Sequence, residues 1–348
     1  MEKAVRWRKR LRKIDIQHLK PGKTRVIIVL LVLLFASVCL SLSLGHVQIS
    51  LSCVAEAVLA PNKASSCSVG DLVIVRSIRF PRIFVAILVG AGLSVAGAGM
   101  QGLFRNPMAD PYIVGISAGA ALGASIGFVF HLHIMFVSLV AFTAAMCTSL
   151  LVYSLARVGG HVPVRNLLLA GIAVGYFLSA ITMLIMFLAR KEVQQIVFWL
   201  MGSLSTSDWT KLQYALPVPA LGGAGVYTHA RELNILPLGE EQALSLGIDV
   251  EKTKRYVLIF SSLITASSVA ISGVIGFIGL VTPHMVRLLV GPNHKVLIPC
   301  SALLGAVLLL WSDTIARTII PPVEIPVGVV TALGGGPFFV YLLRRGKR

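Results

Sequence analysis

Few residues of this chain could carry ionic chemistry inside an apolar environment. His284 and Arg287 stand three apart in one apolar run, and Asp313 stands four residues before Arg317 in another. A four-residue step puts Asp313 and Arg317 on one helix face, so they are expected to pair. Proton- and sodium-coupled carriers commonly keep acidic side chains at mid-membrane depth. These runs hold no acidic cluster, which disfavours coupling to an ion gradient. Patterns for catalysis and nucleotide binding are missing as well. Pro21-Gly22-Lys23-Thr24 has the last residues of a phosphate-binding loop, but the spacing demands a glycine where Gln17 stands. His131 and His133 flank Leu132 at a helix end and read as interfacial histidines rather than metal ligands. The five cysteines show no metal spacing. Cys39, Cys147 and Cys300 read as small apolar packing residues, whereas Cys53 and Cys67 share one loop that an oxidising compartment could close. No catalytic residue, metal site or cofactor is assigned.

The elements that position these residues are membrane helices. Apolar residues make up 56% of the 348-residue chain and charged residues 13%. Several runs are apolar all round and long enough to cross a hydrocarbon core roughly 30 Å thick. The reading is an all-α polytopic membrane protein with about ten spans: 26–45, 80–104, 112–132, 135–156, 167–189, 209–228, 256–275, 276–291, 296–318 and 327–343. Residues 1–25 form a basic tail, and 26–348 form a single transmembrane domain. Ten Lys/Arg lie in residues 1–25 and four more in 344–348. With both termini cytoplasmic, 23 of the 31 Lys/Arg fall inside, as the positive-inside rule requires. The net charge of +17 is therefore mostly topology, with adhesion to anionic lipid favoured over nucleic-acid binding. The N-terminal run is long enough to span and is not read as a signal peptide.

Glycine dominates several spans. Gly115, Gly119, Gly123 and Gly127 form a ridge at four-residue spacing and imply one tightly held neighbour helix. Ser94-Val95-Ala96 and Ser268-Val269-Ala270 sit in two spans that cross in opposite directions, a weak sign of an inverted repeat.

Between the second and third spans, Gln101-Gly102-Leu103-Phe104-Arg105-Asn106-Pro107-Met108-Ala109-Asp110-Pro111 runs into Gly115-Ile116-Ser117-Ala118-Gly119-Ala120. A proline-punctuated polar turn there needs protein or water around it, because lipid cannot satisfy its backbone. This order resembles the permease subunits of ATP-driven (ABC) importers for iron-siderophores, haem and vitamin B12, the FecCD-like permeases. Arg79-Phe80-Pro81-Arg82, Leu167-Leu168-Leu169-Ala170-Gly171, Leu238-Gly239-Glu240-Glu241, Gly276-Phe277-Ile278-Gly279 with Pro283-His284, and Ile325-Pro326-Val327-Gly328 follow the family's order and spacing.

The resemblance implies a non-enzymatic homodimer in the cytoplasmic (inner) membrane of a prokaryote. Two cytoplasmic ATPase subunits would power it, and an extracytoplasmic binding protein would deliver a metal chelate. An ion-gradient-coupled secondary transporter is the alternative. Leu238, Gly239, Glu240, Glu241, Ala243, Ser245, Leu246 and Gly247 are expected to form the ATPase-coupling helix, ending at Gly247, with acids in its first turn as the helix dipole favours. Arg79, Arg82 and Arg317, on the outer face, are expected to receive acidic residues of the binding protein; pairing with Asp313 and lipid contact are the plainer roles. Asn106, Pro107, Met108, Val164 and Arg165 are expected at the cytoplasmic gate. Arg165 departs from the small polar residues expected there and is also a candidate to cap a helix C-terminus.

Overall fold

Helices form at each of the apolar runs. The computed structural model describes residues 22–59 and 67–345. In chain order the helices are α1 (Gly22–Ser43), α2 (Leu51–Leu59), α3 (Val69–Leu103), α4 (Ile116–Val129), α5 (Ile134–Ala156) and α6 (Val164–Leu188). Then come α7 (Val193–Leu200), α8 (Trp209–Ala215), α9 (Pro217–Thr228), α10 (Ala230–Ile235) and α11 (Glu240–Ser245). The last are α12 (Val250–Ser272), α13 (Ile278–Val290), α14 (His294–Ala316) and α15 (Val327–Arg345). Six of them, α1, α3, α5, α6, α12 and α14, are long and apolar enough to cross a membrane. Most of the basic tail, residues 60–66 and residues 346–348 lie outside the described residues.

The second span starts earlier than its apolar run suggests. Ser68 caps α3 by accepting from the Asp71 amide at 3.1 Å, and the Ser68 amide donates back to Asp71 at 3.2 Å. Pro81 would ordinarily break such a helix, since it lacks a donor and crowds the preceding turn. A π turn at Ile74–Arg79 absorbs the conflict just before it, and the Phe80 amide reaches back to the Val75 carbonyl.

Residues 105–115 are not helical and turn back into the body, so α4 is short. Tyr112 donates from its hydroxyl to the Ile275 carbonyl at 2.9 Å, and the Pro111 ring lies against Gly279. Protein covers much of this irregular backbone from Ala109 to Gly115, whereas Arg105, Asn106 and Pro107 are exposed. The glycine ridge of α4 packs on α5 along most of its length, and Gly115 also faces Gly171 of α6. Added Cβ atoms at Gly119, Gly123 and Gly127 would meet Thr148, Val140 and Val137 of α5 in turn. α3 lies at the centre: Gly97 touches the Gly279 backbone of α13, and Gly90 touches Gly305 of α14.

α12 packs antiparallel to α3, with Gly92 facing Ser268 and Gly99 facing Ser261. It is polar for a spanning helix. Ser261, Ser262, Thr265, Ser267, Ser268 and Ser272 are all buried. Thr265 and Ser272 donate to carbonyls one turn back, and Ser262 meets Ser149 of α5 at 2.7 Å. In the loop before α3, Cys53 and Cys67 are joined as a disulfide with their Cα atoms 5.2 Å apart.

Candidate coupling and gate site

The segment 236–249 folds as a small helix on a short stalk. A 3₁₀ turn at Leu236–Leu238 leads through Gly239 into α11. The helix closes where the sequence places its end. The Gly247 amide donates to the Leu244 carbonyl at 2.9 Å and the Ile248 amide to Ala243 at 3.0 Å, with Gly247 at φ +78°. That left-handed position favours glycine, and the pair of bonds is a Schellman stop. Ala243, Leu236 and Ile248 are buried and fasten the helix to the body. Glu240, Glu241, Ser245, Leu238, Leu244 and Leu246 remain exposed, so the outer surface of α11 carries two acids and three leucines.

Glu240 joins this helix to two others. Its Oε1 lies 2.9 Å from the Lys254 ammonium at the start of α12 and 3.5 Å from Arg105 beyond α3. The hydrogen bond from Lys254, aided by the charges of Lys254, Arg105 and His161, holds the Glu240 carboxyl below the usual carboxylate range. Lys254 also donates to Glu251 at 2.8 Å and to the Val162 carbonyl at 3.2 Å. The Glu251 Oε2 in turn accepts the Val162 amide at 3.0 Å.

The expected gate residues lie around this network. Asn106 accepts the Met108 amide at 2.9 Å and so fixes the turn that carries Pro107. Val164 and Arg165 open α6 directly after Pro163. Arg105, Val164, Arg165, His161, Glu240 and Lys254 line one cavity of about 430 Å³ with Phe104 and Pro163. The predicted coupling helix and one predicted gate loop therefore share a single cavity. One expectation is corrected. Arg165 sits in the first turn of α6 rather than at a helix C-terminus, a place where the helix dipole disfavours a cation.

The outer arginines cluster at the opposite end of α3. Arg82 and Leu103 bracket about 30 Å of helix. Arg79, Arg82 and Arg317 are 4%, 7% and 8% exposed, so their side chains lie within the protein rather than on its open surface. Arg79 donates to the Leu42, Ser43 and Val47 carbonyls at the end of α1, and Arg317 donates to Ser41. Both cations thus sit at the negative end of the α1 dipole. The expected pair of Asp313 with Arg317 is present, but Arg82 is the tighter partner of Asp313. Arg317 Nε is 3.9 Å from Asp313, whereas Arg82 binds Asp313 at 2.9 Å and Glu324 at 2.9 Å. Glu324 is the half-exposed member of the cluster.

Sequence reasoning missed Lys254, Glu251 and Glu324. Glu251 and Lys254 stand three apart at a helix start, a spacing that could have marked an ion pair. Glu324 is the lone acid in the proline-rich stretch 321–326.

Comparison with known proteins supplies the class of machine in which this geometry works. Residues 32–345 match the FecCD transport family. The chain belongs to that family. A cobalamin import system permease of Halobacterium salinarum is 47% identical over 273 residues, covering 78% of this chain and 73% of the relative. A hemin transport system permease of Yersinia pestis is 42% identical, covering 78% of this chain and 83% of the relative. A solved inward-facing structure of a metal-chelate type ABC transporter superposes with a TM-score of 0.82 at 31% identity, covering 92% of this chain and 99% of that one. The chain is thus a multi-pass transport permease of an ABC importer.

Proposed function

We propose that this permease carries a metal chelate (an iron-siderophore, haem or a cobamide) across the cytoplasmic membrane of a prokaryote, as a homodimer with two ATPase subunits and an extracytoplasmic binding protein. Both termini and the end carrying α11 face the cytoplasm, and the chain hydrolyses nothing itself. Residues 26–348 act as one transmembrane domain behind a basic tail. One observation supports this reading most: the exposed acids and leucines of α11 stand beside the cavity lined by Val164 and Arg165. That arrangement suits a lever fastened at Ala243, docked on an ATPase through Leu238, Glu240, Glu241, Ser245, Leu244 and Leu246, and acting on a nearby gate at Asn106, Pro107, Met108, Val164 and Arg165.

At the outer end, Arg79, Arg82 and Arg317 serve docking through the charge they hold rather than as open receptors. Arg82 faces Asp313 and Glu324, Arg317 lies near Asp313, and Arg79 has Asp71 nearby. An incoming acid of the binding protein can replace the half-exposed Glu324 on Arg82, whose planar fork binds carboxylates bidentately. The test is uptake into proteoliposomes holding the permease with its cognate ATPase and binding protein. Cyanocobalamin, hemin and a ferric hydroxamate serve as parallel probes. Uptake of one of them driven by ATP, and unaffected by collapsing ion gradients, is expected. Uptake driven by a gradient without ATP would overturn the reading in favour of a secondary transporter.

A further inference from the structure

Val162 is held at both of its backbone groups by side chains of another helix. Its amide donates to Glu251 at 3.0 Å, and its carbonyl accepts from Lys254 at 3.2 Å. Buried backbone groups outside regular structure need such partners. Here the partners are an acid and a base three residues apart on α12, which close on each other at 2.8 Å. The segment delivering Val162 is itself stiff. Gly159 and Gly160, both at positive φ, make a two-residue turn that pairs Val158 with His161 in both directions, at 2.9 and 3.1 Å. Pro163 then fixes the backbone immediately before Val164 and Arg165. Only Pro163 and Val164 therefore separate the held backbone from the gate side chain of Arg165.

The Lys254 ammonium has three donors, and three acceptors surround it. They are Glu240 of α11 at 2.9 Å, Glu251 of α12 at 2.8 Å and the Val162 carbonyl at 3.2 Å. The side chain is only 7% exposed. A largely buried ammonium gives up a charged partner only at a cost. If α11 shifts, Lys254 either follows Glu240 and draws the Val162 carbonyl with it, or loses its bond to Glu240.

We infer that Lys254, with Glu251, is a positioning residue that ties the coupling helix to the gate loop, so that displacement of α11 is passed through one ammonium to the backbone of Val162 and on to Val164 and Arg165. This inference rests on the reading of α11 as the ATPase-facing helix. Arginine would be a poor substitute, since a planar fork cannot gather three acceptors around one point.

The experiment uses the assembled permease–ATPase complex with Cys39, Cys147 and Cys300 replaced by serine and a reporter thiol introduced by Asn166→Cys. Its rate of reaction with a small maleimide is measured with and without a non-hydrolysable ATP analogue. In the otherwise unaltered complex the analogue should change the rate. With Lys254→Met, the ATPase should still co-purify, and the nucleotide-dependent change should shrink at least about fivefold, the low end of typical allosteric couplings. Lys254→Arg should give an intermediate response. Glu251→Gln, which preserves shape, should reproduce the loss and decides the matter if Lys254→Met does not yield folded complex. A full response in either disruptive variant would overturn the inference, and so would loss of the ATPase from Lys254→Met, which would make Lys254 a docking residue. Failure of the underlying reading shows elsewhere, as full ATPase recovery when Glu240 and Glu241 are both replaced by lysine.

Discussion

The Arg82 guanidinium holds Asp313 by three hydrogen bonds, from Nε to both carboxylate oxygens at 3.1 and 2.9 Å and from Nη2 to Oδ1 at 2.9 Å. The contact joins α3 to α14 near one end of the molecule and leaves Arg317 as a distant second neighbour of the same acid. Each charge is buried, so neither tolerates loss of the other.

Removing one member should therefore destabilise the fold. We expect Arg82→Gln or Asp313→Asn to destabilise the fold by less than the ~3–5 kcal/mol of a fully stranded buried charge, because Glu324 stays on Arg82 and Arg317 stays near Asp313. A paired replacement, Arg82→Met with Asp313→Leu, should recover much of that loss. Thermal unfolding of the purified permease in detergent, followed by size-exclusion fluorescence, measures both. Equal melting of Asp313→Asn and wild type would refute the structural role.

Glu324 offers a cleaner probe of the outer face than reversing buried arginines. Glu324→Gln should leave the fold intact and weaken the hold on Arg82 Nη1. Association with a binding protein should then rise, most clearly at low salt, because rim charges act within a Debye length of about 8 Å at physiological ionic strength. Surface-plasmon measurements across a salt series would reveal it. Unchanged affinity at low salt would separate this cluster from docking.

Glu240→Lys together with Glu241→Lys should abolish recovery of the ATPase with the permease while leaving membrane insertion intact. Co-purification through a tag on the permease reads this directly.

The Glu240 pair should also respond to acid in a defined direction. Its folded value lies below the ordinary 4.5, so the pair contributes fully above that ordinary value and is lost as pH falls through the lower folded value. At neutral pH no dependence is expected. Hydrogen exchange of residues 240–248 should accelerate only on strong acidification, and Glu240→Gln should remove that acid-dependent step. Acceleration setting in near neutral pH would contradict the assignment.

Thiol counting tests the loop before α3. In denatured protein without reductant, three of the five cysteines, Cys39, Cys147 and Cys300, should alkylate, and all five after reduction. Mass spectrometry distinguishes the two cases. Closure of a short loop of this kind is worth roughly 3 kcal/mol, so Cys53→Ser should lower the melting temperature measurably.

Much of this architecture was legible because its causes are local. Apolar runs located the helices, four-residue glycine spacing implied a tightly packed neighbour for α4, and acids followed by Gly247 marked both ends of α11. The unread parts depend on contacts far apart in the chain. Asp313 has an attractive partner four residues away in Arg317, but its tight partner lies 231 positions upstream, and no spacing rule reaches that far. The backward extension of α3 depends on a π turn that relieves Pro81, whereas propensity alone favours a stop there. Lys254 escaped notice because one of its partners is the backbone of Val162, and a carbonyl leaves no signature in sequence. The burial of the arginines was not legible because composition shows charge without showing whether the end of another helix has already claimed it.

The buried hydroxyls of α12 bear on how the protein is made. This is the least apolar of the six long helices, with a mean hydropathy of 1.4 in its best window against 3.0 for α1. A segment so rich in serine partitions weakly from the translocon into lipid alone. Its partners Ser149 on α5 and the small-residue face of α3 are synthesised well before it. α12 is therefore a late guest received by helices already in the bilayer. Lesions in α3 or α5 should accordingly appear first as a biogenesis defect, with α12 left outside the membrane and the chain degraded before any transport cycle begins.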